Sequence, residues 1–97
     1  MTKPPYRVRQ HRLFGKEVLK VPKHHQAKLY KRIYSLSQEP QKLPPNTTLL
    51  SGYQQIYRTR FGDFRLIFHI NHKEKLVTIL GVGSRGGVYQ LLRRLLD

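Results

Sequence analysis

Apolar and polar residues alternate with a period that changes along the chain, and these changes divide the sequence into strands and helices. Residues 6–9 alternate between apolar and basic side chains, which is typical of a short strand. Residues 11–20 carry apolar side chains at a helical spacing, and Pro22 ends this short helix. Residues 23–37 repeat the helical spacing more strongly. The first part of the chain therefore predicts a strand followed by a helical hairpin.

The second part of the chain changes to a period of two, which is typical of strands. Prolines first mark a loop over residues 40–52. Three strands are then predicted over residues 54–61, 64–70 and 75–82. Gly62-Asp63 separates the first two strands and suits a two-residue hairpin turn, in which glycine supplies the positive φ. The chain ends in an amphipathic helix over residues 88–96, whose leucines follow a helical spacing.

Together these elements predict an α+β fold. The 97 residues suffice for one compact core, and we expect a single domain over residues 1–97. The N-terminal strand and the helical hairpin should pack on a mostly antiparallel, twisted sheet, with the helices on one face of that sheet. The C-terminal amphipathic helix would bury its leucines against the sheet, or would offer them to a partner protein.

The turn at Gly62-Asp63 fixes the register of the hairpin. Counting back from the turn pairs Arg60 with Arg65 directly across the two strands. One face of the hairpin, expected to be the core face, carries Tyr57, Thr59, Phe61, Phe64, Leu66 and Phe68. The other face carries Arg58, Arg60, Arg65, Ile67 and His69.

We call the surface formed by Arg58, Arg60 and Arg65 the arginine face. Like charges directly opposite one another in a sheet cost up to about 1 kcal/mol, so a fold has little structural reason to place them there. Planar guanidinium groups bind phosphate in a bidentate manner, better than lysine does. The arginine face therefore indicates an anion site. His69 is a further candidate for RNA binding or acid–base chemistry, with a plain surface residue as the alternative. The alternative is a solvated sheet face whose long side chains splay apart.

The net charge narrows the choice of anion. Nineteen Lys and Arg against five Asp and Glu give a formal charge of +14, beyond the magnitude of about 2–8 that suits a small domain. Such a surface attracts polyanions, above all nucleic acid, although an acidic protein or an anionic membrane would also satisfy it.

The lack of cysteine excludes a disulfide framework and a thiolate metal site. No segment is apolar enough to span a membrane, so a cytoplasmic location is expected.

The sequence predicts neither a metal site nor a cofactor site. It does offer two more residues for the candidate site, which are Arg85 and Tyr89. His24 and His25 are neighbours on a helix and should point to different sides, and the acidic residues are scattered. Arg85 lies in the glycine-rich segment 81–87, where the backbone can approach a ligand closely. Tyr89 can stack on a base or exchange a proton through its hydroxyl. It can equally be the first buried residue of the final helix.

The hairpin and the residues that follow it resemble the RelE/ParE superfamily of toxins. That family has a pattern of roughly Y-R-I-R-x-G-D-Y-R-L-I-Y, which residues 57–68 match as Y-R-T-R-F-G-D-F-R-L-I-F. Its later V-G-x-R and V-Y motifs are matched by residues 82–85 and 88–89. The helical hairpin and the proline break also fit, so the resemblance spans nearly the whole chain and implies a RelE-like fold.

The RNase branch of that superfamily cuts messenger RNA, typically in the A site of the 70S ribosome and without a metal. The positions that match its site are Arg58, Arg60, Arg65, Arg85 and Tyr89. The resemblance implies that a ribose 2′-hydroxyl attacks its own 3′-phosphate, with Arg65 and Arg58 stabilising the charge and Arg60 or Arg85 assisting the leaving group. Tyr89 would take the 2′-hydroxyl proton or stack on a base. The implied partners are ribosome-bound messenger RNA and an acidic cognate antitoxin.

The ParE branch is the main alternative, since it lacks the RNase residues and inhibits DNA gyrase without catalysis. Retention of Arg85 and Tyr89 favours the RNase branch. Two departures from the family pattern concern the chemistry. Arginines stand at Arg58 and Arg60, where lysines are common, and arginine is a poor proton donor. Gly86-Gly87 makes the link to Tyr89 short and flexible. A helix-turn-helix in the basic hairpin is a third, weaker alternative, because proline and glycine interrupt it.

Overall fold

The computed structural model describes residues 6–84 and 86–96, and this part of the chain forms five strands and three α-helices. The strands are β1 (Arg7–Gln10), β2 (Thr47–Leu49), β3 (Ile56–Phe61), β4 (Phe64–Asn71) and β5 (Leu76–Ser84). The helices are α1 (Arg12–Glu17), α2 (Lys23–Gln38) and α3 (Gly87–Leu96), with a short 3₁₀ helix, Val18–Lys20, directly after α1. In the described residues, every helix is too short or too polar to cross a membrane.

The strands form one sheet in the order β1-β5-β4-β3-β2. β1 pairs in parallel with β5, and all the other neighbours are antiparallel. This sheet confirms the predicted α+β class. β2 is a correction, because a loop was predicted over residues 40–52. A strand of three residues is too short to show a period of two, and β2 is held instead by pairing with β3, which puts Thr48 opposite Arg58.

α1 and α2 cover one face of the sheet and enclose the main core. The buried side chains of this core are Tyr6, Phe14, Val18, Val21, Leu29, Leu36, Phe61, Leu66, Phe68, Ile70, Val77, Ile79 and Val82. Tyr57 and Phe64 pack against them and Thr59 is fully buried, so the predicted core face of the hairpin is confirmed. Gln26 holds the start of α2 in place, because its Nε2 donates to the carbonyl oxygen of Val21 at 2.8 Å.

α3 packs on the opposite face of the sheet, so the expectation that the helices share one face is wrong. Leu92, 4 % exposed, packs with Ile56 and Ile67, and Tyr89 lies against them. Ile67 is the reason: an isoleucine on the arginine face needs apolar cover, and under α3 it is only 1 % exposed. The apolar surface of the described α3 side chains is therefore buried on the chain's own sheet.

The β3–β4 hairpin has the predicted register, with Arg60 opposite Arg65 across the Gly62-Asp63 turn. Gly62 has φ +60°, which is the left-handed region that glycine adopts without strain. A Cβ atom at this position would also lie only 2.8 Å from Cε1 of His25 on α2. Glycine is thus required here both by the turn and by the histidine packed beneath it.

A β-bulge in β5 adjusts the sheet beside the arginine face. Ile79 and Val82 both lie in the main core although they are three residues apart, because Leu80 is an extra residue in the ladder. Leu80 packs instead with the cluster under α3. The bulge also leaves Gly83 opposite Arg65, where no side chain from β5 crowds the guanidinium group.

Candidate functional site

The arginine face lies where β2, β3 and β4 run side by side. Directly opposed residues of antiparallel strands project from the same face with their Cβ atoms about 5 Å apart. Arg60 stands opposite Arg65, and Thr48 stands opposite Arg58. Asn46 directly precedes β2, and its carbonyl oxygen accepts a hydrogen bond from the backbone N–H of Arg60 at 3.1 Å. The register therefore gathers three guanidinium groups and two uncharged polar side chains.

These five side chains line one shallow cavity of about 200 Å³, which we call the arginine cavity. Its lining consists of Asn46, Thr48, Arg58, Arg60 and Arg65. Arg60 is exposed, and Arg58 and Arg65 are half-buried. Every charged side chain in this lining is positive, and guanidinium groups make strong charge-assisted hydrogen bonds to phosphate oxygens. The arrangement is suited to holding a phosphate group.

Tyr89 joins the arginine face through its hydroxyl, which accepts a hydrogen bond from Nη1 of Arg58. The guanidinium carbon of Arg58 lies 6.0 Å from the centroid of the tyrosine ring. The ring itself packs against the cluster of Ile56, Ile67 and Leu92. Tyr89 therefore combines the two alternatives left open by the sequence, a partly buried residue of the final helix and a polar group at the site.

Arg32 of α2 anchors the loop that carries one wall of the cavity. Its Nη1 donates to the carbonyl oxygen of Pro45 at 2.9 Å and to Oγ1 of Thr59 at 3.1 Å. Thr59 lies on β3 on the core side, so this pair of bonds ties the loop to the strand from behind. Burial disfavours the charged form and lowers the pKa of the Arg32 guanidinium below its usual value. The next residue after Pro45 is Asn46, which is thereby held at the cavity.

One predicted site residue, His69, lies apart from the arginine cavity. His69 is on the same face of the sheet, but it lines a separate cavity of about 340 Å³ with Gln54 and Gln55. The buried side chain of Ile67 lies between His69 and Arg65 along β4. Arg85 lies outside the described residues.

Asn46 and Thr48 were not identified from the sequence, because residues 40–52 were interpreted as a loop. Asn46 has φ 61°, a left-handed conformation that asparagine tolerates better than most residues. An asparagine after Pro44-Pro45 is a turn signal of this kind. That signal marks a turn but does not say which strand the following residues join, so the contact with the arginines needed the three-dimensional structure.

The two adjacent histidines also differ from expectation. The rings of His24 and His25 lie with their centroids 4.2 Å apart, so the prediction that they point to different sides of the helix is wrong. His25 packs against Phe61 and Phe64 under the hairpin turn. Among the residues that the structure describes, no three His, Asp or Glu side chains come together in a group that could hold a metal ion.

The sequence matches a known protein family over most of its length. Residues 8–89 match the family model described as the ParE toxin of the type II toxin–antitoxin system parDE. This range contains the whole arginine cavity and ends at Tyr89. No curated protein matches the chain in sequence.

Solved toxin–antitoxin structures share the fold. A chain of the archaeal RelE–RelB complex from Pyrococcus horikoshii is 32 % identical, with 84 % of this chain and 97 % of that chain covered and a TM-score of 0.71. A chain of the RelBE2 complex from Mycobacterium tuberculosis is 26 % identical, with coverages of 84 % and 99 % and a TM-score of 0.66. The isolated RelE toxin of E. coli, 22 % identical with coverages of 94 % and 99 %, superimposes with a TM-score of 0.69. These likenesses confirm the predicted RelE-like fold.

Proposed function

The chain belongs to the ParE toxin family of type II toxin–antitoxin systems, within the RelE/ParE superfamily, and we propose that this toxin is an endoribonuclease that cleaves messenger RNA. One observation carries the proposal. Arg58, Arg60 and Arg65 line a single cavity, and the hydroxyl of Tyr89 accepts a hydrogen bond from Arg58. This shared cavity favours an anion site over the alternative left open by the sequence, a solvated face whose side chains splay apart.

The proposed reaction is an attack of the ribose 2′-oxygen on the adjacent phosphorus. The 2′-hydroxyl loses its proton, the bond from phosphorus to the 5′-oxygen breaks, and the departing 5′-oxygen gains a proton. The products are a 2′,3′-cyclic phosphate and a 5′-hydroxyl end. Negative charge grows on the non-bridging oxygens in the transition state, where guanidinium groups already in place stabilise it. We assign this role to Arg58 and Arg65. We assign to Arg60 or Arg85 the role of assisting the departure of the 5′-oxygen.

We assign to Tyr89 the removal of the proton from the attacking 2′-hydroxyl. The acceptor of that proton is the phenolate form of Tyr89, which becomes neutral as it takes the proton. A guanidinium that donates to the phenolic oxygen, as Arg58 does, stabilises the negative charge of that form. Stacking of the ring on a base is less suited to its position, because the ring packs with Ile56 and Ile67. Arginine side chains are poor proton donors, so in this scheme the leaving oxygen takes its proton from water.

The proposed substrate is messenger RNA in the A site of the ribosome, following the RNase branch that residues 57–68 resemble. The proposed protein partner is a cognate antitoxin, because the Pyrococcus and Mycobacterium neighbours are chains of toxin–antitoxin complexes. The charge of +14 suits an acidic antitoxin, which would be attracted over long range.

Inhibition of DNA gyrase without catalysis is the second candidate function. The observation that favours it is the family model itself, which describes ParE toxins. Under this alternative the arginine face would be a binding surface only. RNA in cells that express the toxin would then remain intact, and removal of the Tyr89 hydroxyl would have little effect on growth arrest.

Transcript mapping after induction of the toxin separates the two functions. We expect new 5′ and 3′ ends inside codons of translated messages, and we expect these cuts to disappear with Arg65→Ala and with Tyr89→Phe. Arg9→Ala serves as the matched control, because Arg9 is an exposed arginine on β1, at the far edge of the same sheet. Circular dichroism of the purified variants checks that each one is folded. Growth arrest with intact messages and trapped gyrase–DNA complexes would refute the proposed cleavage.

A further inference from the structure

The arginines of the cavity explain how a phosphate is held, but they do not explain how RNA is told from DNA. The phosphates of the two polymers are alike, and the group that distinguishes them is the ribose 2′-hydroxyl, which both donates and accepts hydrogen bonds. Arginine offers donors only and cannot accept a hydrogen bond from that hydroxyl. Tyr89 is assigned to the attacking 2′-hydroxyl. Recognition of the proton on the second 2′-hydroxyl, that of the ribose linked through the 5′-oxygen, therefore needs a further side-chain acceptor close to the bound phosphate.

Asn46 and Thr48 are the two side chains of the cavity lining that can accept a hydrogen bond. Thr48 stands directly opposite Arg58, and opposed side chains in a sheet start about 5 Å apart. Asn46 lies beside Arg60, since the backbone N–H of Arg60 donates to its carbonyl oxygen at 3.1 Å. Both side chains are exposed to the cavity.

The ribose is the part of a nucleotide that these two side chains would meet first. The sugar is bonded to the phosphate directly, whereas the base lies one further unit away. A side chain that lines the same cavity as the phosphate-binding guanidinium groups is therefore within reach of the sugar hydroxyl. The fold fixes the positions of both acceptors. Pairing of β2 with β3 places Thr48, and the hydrogen bonds from Arg32 to Pro45 and Thr59 hold the loop before Asn46.

We infer that Asn46 and Thr48 accept a hydrogen bond from the 2′-hydroxyl of the ribose linked through the 5′-oxygen of the bound phosphate, which is distinct from the attacking 2′-hydroxyl at Tyr89, and thereby strengthen the preference of the site for RNA over DNA. This inference rests on the proposed function, because it presumes that the arginine cavity holds a nucleic-acid phosphate. It adds two specificity-determining residues that hydrogen-bond the substrate without carrying the transition-state charge.

The test is the ratio of affinities for RNA and DNA of the same sequence. Fluorescence anisotropy at fixed, near-physiological salt measures binding of a short single-stranded RNA, the matching DNA, and the matching 2′-fluoro RNA to the full chain. The fluorine keeps a ribose-like sugar pucker but cannot donate a hydrogen bond or act as the nucleophile. A gel run after each titration verifies that the RNA is uncut.

The variant is Asn46→Gly with Thr48→Val. Glycine keeps the left-handed backbone at φ 61° while it removes the amide, and valine keeps the branched shape that suits a strand while it removes the hydroxyl. Thr47→Val is the matched control. Thr47 is the neighbour of Thr48 on the other face of β2, and its Oγ1 is buried without a hydrogen-bond partner, so the same substitution removes no contact with the cavity.

A net hydrogen bond is worth about a two- to tenfold change in affinity. We expect the wild type and Thr47→Val to bind RNA several-fold more tightly than DNA or 2′-fluoro RNA. In the double variant this ratio should fall by about two- to tenfold while the affinity for DNA is unchanged. Arg65→Ala should instead weaken binding of all three polymers.

The inference is overturned if the double variant keeps the wild-type ratio, or if the wild type binds RNA and 2′-fluoro RNA equally, since sugar shape would then be the feature recognised. Equal wild-type affinity for RNA and DNA overturns it as well. A different result identifies failure of the proposed function: if Arg65→Ala leaves the affinity for RNA unchanged, the arginine cavity is not where RNA binds.

Discussion

Replacement of Arg60 by glutamine should stabilise the fold while it weakens RNA binding. Arg60 stands directly opposite Arg65, and both side chains line the same cavity. The fold holds two like charges together there, and a chain of net charge +14 gains nothing in stability from doing so. Glutamine retains most of the length of the side chain and its polar end, so the substitution removes mainly the charge.

The magnitude follows from the geometry of the pair. Like charges directly opposed in a sheet cost from a few tenths to about 1 kcal/mol. Arg60 is exposed and Arg65 is half-buried, so water screens the pair and we expect a gain of about 0.5 kcal/mol in the free energy of unfolding. In a domain of this size that gain raises Tm by about 2–4 °C. The Debye length falls to about 3 Å at 1 M salt, so the gain should vanish there.

Thermal unfolding followed by circular dichroism measures this effect at low salt and at 1 M salt. Arg9→Gln is the control, because it removes the same charge from an exposed strand position that stands opposite Thr78 instead of another arginine. The RNA affinity of Arg60→Gln should also lose about 0.7 from the slope of log K against log salt, whereas that of Arg9→Gln should not. If Arg60→Gln is no more stable than Arg9→Gln at low salt, the two guanidinium groups do not repel each other and the reasoning from the register is refuted.

Three further substitutions test the parts of the fold that support the site. Arg32→Met removes the bonds that tie the proline loop to β3 and should cost about 1–3 kcal/mol in urea unfolding, whereas Lys31→Met, on the exposed side of the same helix, should be nearly neutral. Gly62→Ala should lower the free energy of unfolding by at least about 1 kcal/mol, because alanine is strained at φ +60° and its Cβ would meet His25. If a second substitution, His25→Ala, recovers none of that loss, the contact with His25 is not its cause. Tyr6→Phe removes a hydrogen bond of 2.7 Å to a histidine ring in the β4–β5 turn and should lower the free energy of unfolding by about 1 kcal/mol; an unchanged midpoint would mean that the bond contributes nothing.

The sequence predicts the hairpin well because one short signal determines it. Gly62-Asp63 is a two-residue turn, and once its position is known the period of two decides every pair in β3 and β4, including Arg60 with Arg65. The strand alternation is local information, so no knowledge of the remaining chain is needed. The arginine face therefore follows from the sequence alone.

The polar wall of the cavity and the side on which α3 packs could not be predicted in the same way. Thr48 reaches the arginines only because β2 pairs with β3, and three residues carry too little pattern to show this. The position of α3 depends on Ile67, which reads as one exposed residue among arginines until the helix that covers it is in place. Both are decided by long-range packing, which a periodic pattern does not encode.

The chemistry of the RNA ends tests the central claim most directly. Messages cut in cells that express the wild-type toxin should carry 5′-hydroxyl ends that a kinase can label without prior phosphatase treatment, and 2′,3′-cyclic phosphates on the upstream fragments. The same fragments should be absent with Arg65→Ala and with Tyr89→Phe, and present with Arg9→Ala. Cuts that leave 5′-phosphates, or fragments that persist in the Arg65→Ala and Tyr89→Phe variants, would contradict attack by the 2′-oxygen at the arginine cavity.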